Sequence, residues 1–228
     1  MIAENVGHIR HRMARACSRA GRKPENVCLI AVAKTFPAEA IQEVVTAGIR
    51  DIGENYVQEL LAKREALPDP EIRWHFVGHL QSNKVKNIVS WVHAIHTIDS
   101  ARLGEQVSKR AGENNHRTDI LVEVNTSGES TKFGVTPDEA VPLAKSLLEL
   151  PNVRLLGLMT IGPLQPDPEA SRPAFRRLRL LGDALKEQGI PLEHLSMGMT
   201  NDFEVAIEEG ATMIRIGTAI FGKRTKRP

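Results

Sequence analysis

Residues 193–216, "EHLSMGMTNDFEVAIEEGATMIRI", decide the fold. A short apolar run near 193–196 gives way to small and polar residues. A helical pattern over 202–209 then carries apolar residues at three- and four-residue spacing. Gly210 follows where a helix would end on a left-handed residue, and a second apolar run fills 213–216. Strand, turn, helix, glycine and strand make one βα repeat, whose two strands run parallel.

The same pattern recurs along the chain. Strands are expected near 28–33, 50–53, 73–77, 93–97, 119–125 and 153–158 as well. Helical patterns cover roughly 37–47, 55–66, 82–90, 100–111, 137–149 and 170–188, and an extra helix over 2–20 precedes the first strand. Gly48 and Gly189 suit the same helix-ending position as Gly210, and Pro137 fits a first turn with Thr136 as N-cap and Glu139 three residues on. Eight alternating strands predict a single α/β domain over 1–228: a (β/α)₈ barrel of the TIM type with an added N-terminal helix. An open doubly wound sheet is the alternative. The proline-rich loop "GPLQPDPEASRP", 162–173, follows the sixth strand, where barrels carry functional loops.

Composition narrows the function. Hydrophobic residues make up 41% and charged residues 25%, a globular balance. Thirty basic against 28 acidic residues leave a net charge of +2, too even to indicate nucleic acid. The basic tail "GKRTKRP" reads as a solvated terminus. Two cysteines, Cys17 and Cys28, make no disulfide framework, and "MIAENVGHIRHRMARA" lacks the apolar core of a signal peptide. The run "VCLIAVA" is too short to span a bilayer, so a cytoplasmic, non-membrane protein is expected.

In a barrel the active groups gather where strands end at their C-termini. Here those ends carry Lys34, "GENY" 53–56, "GHLQSNK" 78–84, "NTSGESTKFG" 125–134, "LMTIGP" 158–163, "SMGMTND" 196–202 and "RIGTAIFG" 215–222. The last two combine glycine with threonine after strands seven and eight, the recurrent phosphate position of barrels. Lys34 closes the apolar run "LIAVAK" and has three readings. It can snorkel to solvent, pair with a carboxylate, or serve as a Schiff-base amine whose proton affinity is lowered by desolvation. An amine and a phosphate site at one mouth suit a ligand bearing both an aldehyde and a phosphate, as pyridoxal 5′-phosphate does. The histidine pairs His75 with His79, His93 with His96 and His8 with His11 lack the cysteine or acidic partners that would complete a metal set.

Together "AVAKTFP", "GENYVQE", "WHFVGHLQSNK", "VNTSGESTKFG", "GLMTIG" and "LSMGMTNDFEVAIEEGATMIRIGTAIFG" resemble the pyridoxal phosphate homeostasis proteins, from about residue 5 to 224. The resemblance implies a fold like the N-terminal barrel of alanine racemase, and a protein that buffers or delivers pyridoxal phosphate and affects amino-acid and keto-acid balance. It makes Lys34 the aldimine lysine and places Asn55 and Met159 beside the pyridine ring. Ser196, Thr200, Gly217 and Thr218 would hold the phosphate, and Arg215 would face the ring nitrogen. His79 would lie near the mouth, and Lys132 would be a secondary contact. Many members carry a second lysine where this chain has Phe36, so any role for that residue is absent here.

Arg215 has its own logic. A guanidinium keeps its protons and only donates, which leaves the pyridine unprotonated and a poor electron sink. That suits holding the cofactor, with apo enzymes as recipients, more than transamination. A racemase-like enzyme is the alternative, and a lysine aldolase without pyridoxal phosphate is a third reading. Racemisation needs a base opposite Lys34. The single tyrosine, Tyr56, is expected on the barrel flank, and no racemase-type dimer domain is expected within these 228 residues, which favours a monomer.

Overall fold

Strand β1 (Cys28–Val32) pairs on one side with β2 (Asp51–Glu54) and on the other with β8 (Met213–Ile216), and this double pairing closes the sheet. Strands β3 (Arg73–Phe76), β4 (Ala94–Ile98), β5 (Thr118–Glu123), β6 (Val153–Met159) and β7 (His194–Ser196) follow in chain order, every neighbour parallel. The barrel is closed, so the open doubly wound alternative falls. The computed structural model describes residues 1–222; the basic stretch 223–228 lies outside them.

The helices are α1 (Ile2–Arg19), α2 (Ala38–Thr46), α3 (Val57–Ala66), α4 (Ala101–Gly112), α5 (Pro137–Leu148), α6 (Arg172–Glu187), α7 (Phe203–Glu208) and α8 (Thr218–Phe221). The pattern at 82–90 is the exception: it forms a 3₁₀ segment, Ser82–Asn87. Ser82, Asn83 and Asn87 compete for backbone hydrogen bonds and Val85 is β-branched, so the segment has little intrinsic helicity. Gly48, Gly189 and Gly210 end their helices with φ of +82°, +79° and +99°. At the start of α5 the Glu139 carboxylate accepts from the Thr136 N–H (2.9 Å) and hydroxyl (2.8 Å). Helix α1 buries Ile2, Val6, Ile9, Met13, Ala16 and Cys17 along one stripe and packs on α2, α7 and α8.

Alternation along the strands builds two cores. Outward residues such as Ile52, Trp74, Phe76, Ile120 and Ile214 meet the helices in the main apolar core. Inside the barrel lie two small apolar groups, Ile30, Val32, Val77 and Met213, and Ala94, Leu121, Leu156 and Met159. The interior also holds a polar set, Asp51, His75, His96, Ser196 and Arg215, all buried. Where β6 runs beside β7 the backbones touch: a Cβ on Gly157 would sit 1.8 Å from the His194 carbonyl oxygen.

That contact gives the fold a sharp test. No side chain can move aside to admit a methyl group there, so Gly157→Ala must push β6 and β7 away from each other. Overpacking of this kind costs about 3 kcal/mol or more, and a chain of this size loses roughly 2–4 °C of Tm per kcal/mol. Thermal unfolding should show a fall of about 6–12 °C; an unchanged midpoint would refute this strand packing.

Candidate functional site

The barrel's C-terminal rim is built around the turn that follows β1. Its Lys34 is half-buried, two residues beyond Val32, while Ala33 still donates to the Gly53 carbonyl at 2.9 Å. The turn is clamped from several sides. The Ala33 carbonyl accepts from Phe36 N–H (3.0 Å) and Lys63 Nζ (2.9 Å), and Thr35 N–H donates to Glu59 Oε2 (2.8 Å). Phe36 stacks on Phe221 with centroids 4.9 Å apart. Thr35 has φ of +69°, a strained value for a β-branched residue, and that conformation persists because these contacts over-determine it.

Behind the turn, the Lys63 ammonium uses three acceptors: the Ala33 carbonyl, Glu54 Oε1 at 2.5 Å and Glu59 Oε2 at 2.9 Å. Burial lifts the Glu54 carboxyl to about 7 against the pull of Lys63. Sequence reading missed this clamp. Its signal was the Glu59–Lys63 pair, four residues apart on a helix that starts just past the "GEN" stretch.

Arg215 comes from β8, next to β1, and is fully interior. Its Nη1 donates to Ser196 Oγ at 2.6 Å and its Nη2 to the Thr160 carbonyl at 2.8 Å. Burial lowers it to about 10, which leaves it cationic at neutral pH. The turns after β7 and β8 are tied together, since Ala219 N–H donates to Thr200 Oγ1 at 3.3 Å. Both need small residues: Gly198 has φ of +93° with Ala206 Cβ 2.5 Å from where its own Cβ would stand, and a Cβ on Gly217 would lie 3.2 Å from the Val32 carbonyl. Thr218 opens α8 at the surface.

The pairing order β7–β8–β1–β2 gathers Thr200, Gly217, Thr218, Arg215, Lys34 and Asn55 on one side of the mouth. Asn55 follows β2, and its Oδ1 is buried with no hydrogen-bond partner among the described residues. Ser196 is placed differently: its hydroxyl points inward to Arg215 and to His96 Nδ1, 3.0 Å away, beneath the loops. Met159 is fully buried in the interior group on the β4–β6 side. His79 is exposed, stacked on Phe133 at 4.1 Å and 3.7 Å from Asp99. Lys132 bonds Glu129 (2.6 Å) and the Gly162 carbonyl (2.8 Å), joining the loops after β5 and β6. Tyr56 is 54% exposed at the start of α3. Among the described residues, no group of three His, Cys, Asp or Glu side chains could hold a metal.

A second residue that the sequence reading passed over is Glu123, the last residue of β5. It is buried, its Oε2 has no partner among the described residues, and burial raises its carboxyl to about 7, with Arg215 lowering and Asp99 raising it.

Comparison with known proteins places this rim in a wider group. The family described as "Alanine racemase, N-terminal domain" matches residues 5–225. The chain is 50% identical over 222 residues to the "Pyridoxal phosphate homeostasis protein" of Aquifex aeolicus, covering 97% of each. It superimposes with a TM-score of 0.85, at 36% identity, on PipY of Synechococcus elongatus solved with PLP bound, covering 97% of this chain and 100% of that one. The alanine racemase of Clostridium difficile shares the fold at 15% identity and a TM-score of 0.75, over 99% of this chain and 57% of its own.

Glu123 yields a pH prediction. Its folded value of about 7 lies above the ordinary 4.5, so the folded chain holds a proton there that the unfolded chain releases. The associated stability is fully present below 4.5 and is lost as pH rises through about 7, a change of roughly 3 kcal/mol at most. Glu123→Gln should remove this component of the pH dependence and gain stability relative to the parent at alkaline pH. Parallel unfolding curves for the two proteins across that window would contradict it.

Proposed function

The chain belongs to the alanine racemase N-terminal domain family and, within it, to the pyridoxal phosphate homeostasis proteins, and from that premise we propose that it binds pyridoxal 5′-phosphate and serves its storage or delivery. The observation that carries the reading is the strand order. Lys34 on the β1 turn, Arg215 on β8 and the paired turns after β7 and β8 adjoin one another only because β8 closes onto β1.

The residues fit the cofactor. Gly198 and Gly217 let two turns pack closely against α7 and the end of β1, and Thr200 and Thr218 add hydroxyls beside them for an anion. Asn55 Oδ1 is a buried acceptor awaiting a partner at the rim. When bound, the cofactor supplies an electrophilic aldehyde on an electron-poor ring. Lys34 would be the amine for that aldehyde, in a condensation that releases one water, and its clamped turn fixes where the side chain leaves the backbone. Arg215 would donate to the ring nitrogen. Ser196 acts one step back, holding the guanidinium rather than reaching the phosphate through its hydroxyl. Met159 bounds the far side of the ring. His79 and Lys132 shape the opposite lip.

An arginine on the ring nitrogen favours retention over carbanion chemistry, because the nitrogen stays unprotonated. We read the protein as a cytoplasmic single-chain carrier with apo enzymes as recipients. Racemase-like turnover has one observation in its favour, the buried Glu123 carboxyl held near 7 at the mouth. Assays for racemisation and for cofactor transfer to an apo enzyme separate the two.

Two experiments test the binding reading. Lys34→Ala should abolish the visible absorbance and the borohydride-reducible adduct while leaving the fold intact; full adduct stoichiometry in the variant would sink the assignment. Thr200→Ala combined with Thr218→Ala should weaken pyridoxal phosphate retention far more than pyridoxal retention. Each lost charge-assisted bond is worth about 1.5–3 kcal/mol, roughly 10- to 100-fold. Equal losses for both ligands would show that these turns do not serve the phosphate.

A further inference from the structure

The barrel interior contains an unbroken hydrogen-bonded series from mouth to floor. Arg215 Nη1 lies 2.6 Å from Ser196 Oγ, which lies 3.0 Å from His96 Nδ1. His96 Nε2 is 3.0 Å from His75 Nδ1, and His75 Nε2 is 3.0 Å from Asp51 Oδ1. The residues come from β8, β7, β4, β3 and β2, and each is buried. Asp51 sits at the N-terminal end of its strand. It borders a cavity of about 680 Å³ with Cys28, Arg73, His194 and Thr212, so the series begins at the C-terminal mouth and ends at the opposite face.

Donor and acceptor chemistry sets the direction of every bond. A guanidinium only donates, so Ser196 Oγ accepts from Arg215. An ionised carboxylate only accepts, and the Asp51 carboxyl is held below its usual range by its bonds to Arg73 and His75, so His75 Nε2 carries a proton. Two arrangements remain for the middle. If both imidazoles are neutral, Ser196 donates to His96 Nδ1, His96 Nε2–H donates to His75 Nδ1, and every atom has a partner. If either ring is an imidazolium, His96 Nδ1 carries a proton and donates toward Ser196. The hydroxyl proton is then left without an acceptor, because its bonds among the described residues run only to His96 and Arg215. A buried, unsatisfied polar group is costly, so the neutral arrangement prevails.

The surroundings agree. His96 is faced by Arg215, His194, His93 and His75, and burial with those neighbours pushes it well below the usual histidine range. His75 is faced by His93 edge-on at 5.0 Å, and Arg73 is bidentate on Asp51.

We propose that Asp51, His75, His96 and Ser196 are positioning residues: a one-way hydrogen-bond relay that anchors the Arg215 guanidinium from the barrel floor and fixes its remaining N–H groups toward the cofactor's ring nitrogen. The relay is an orienting lock and not a proton conduit, since the guanidinium at its head does not give up a proton. The reading of the ring position rests on the proposed function; the relay itself does not.

The test has two arms. In apo protein labelled with ¹⁵N-histidine, long-range ¹H–¹⁵N spectra report each tautomer. His75 and His96 should both be neutral Nε2–H tautomers at neutral pH. An Nδ1–H tautomer or an imidazolium at either position overturns the relay, and this measurement needs no variant to fold. The second arm compares pyridoxal phosphate with its 1-deaza analogue, which lacks the ring nitrogen. Asp51→Asn and His96→Leu should weaken pyridoxal phosphate binding about ten-fold, the scale of one lost charge-assisted bond, and shift its absorption band. The deaza analogue should bind parent and variants alike. His96→Gln, whose amide can accept from Ser196 and donate to His75, should restore most of the loss. Unchanged binding, or equal losses for both ligands, overturns the link to the ring. A parent protein that takes up no pyridoxal phosphate overturns the functional reading, while the imidazole spectra still decide the relay.

Discussion

A guanidinium fully buried at the mouth of a barrel is the constraint from which the rest of this structure follows. Removing an ion from water costs several kcal/mol even after relaxation, and the cost is offset only by hydrogen bonds and compensating charge. Arg215 receives both, with no direct ion pair among the described residues: a hydroxyl and a carbonyl accept its hydrogen bonds, and the Glu123 and Asp202 carboxyls lie close enough to favour its charge. The interior of most small barrels is filled by apolar layers. Here Asp51, His75, His96 and Ser196 occupy that space beside two small apolar groups.

The rim obeys a second constraint, the fixing of an amine. Lys34 is carried on a turn whose carbonyl, N–H and aromatic side chain are each held by a different neighbour. The clamp on that turn is itself ionic and buried, Lys63 against Glu54 and Glu59, with Glu54 raised by burial. Strain at Thr35 is thereby sustained next to Lys34. Position in place of mobility suits a site that must present one nitrogen to one carbon. It also agrees with a protein whose relatives are named for keeping pyridoxal phosphate in balance.

The barrel was legible because its signals are local. Apolar runs such as 28–32, helix-ending glycines at 48, 189 and 210, and the Thr136–Glu139 box each report on a few adjacent residues. Local reading overreached at Ser82–Asn87, where polar residues and β-branching left a 3₁₀ segment in place of an α-helix. The site was only partly legible: Lys34, Arg215, Thr200 and Gly217 stand at strand ends, where barrel chemistry is sought. The relay was not, because its members come from five strands and meet only through the barrel's register. His75, His93 and His96 look in sequence like metal ligands without companions, yet β3 and β4 turn His75 and His96 toward each other inside. The family resemblance makes Ser196 a phosphate contact, and its hydroxyl lies inside the barrel, bonded to Arg215 and His96. Glu123 carried no motif, and burial is what distinguishes it from a surface charge, while Lys63 offered only its four-residue spacing from Glu59.

The central claim is that one amine and one guanidinium, set by strand closure, grip the two ends of the same ring system. The most direct measurement is a diffraction map from crystals grown with pyridoxal 5′-phosphate at neutral pH. Density should be continuous with Lys34 Nζ, with the phosphate against the turns at Thr200 and Gly217 and the ring nitrogen within hydrogen-bond reach of Arg215. Cofactor density joined to another lysine, or a ring nitrogen turned away from Arg215 toward solvent, would contradict it.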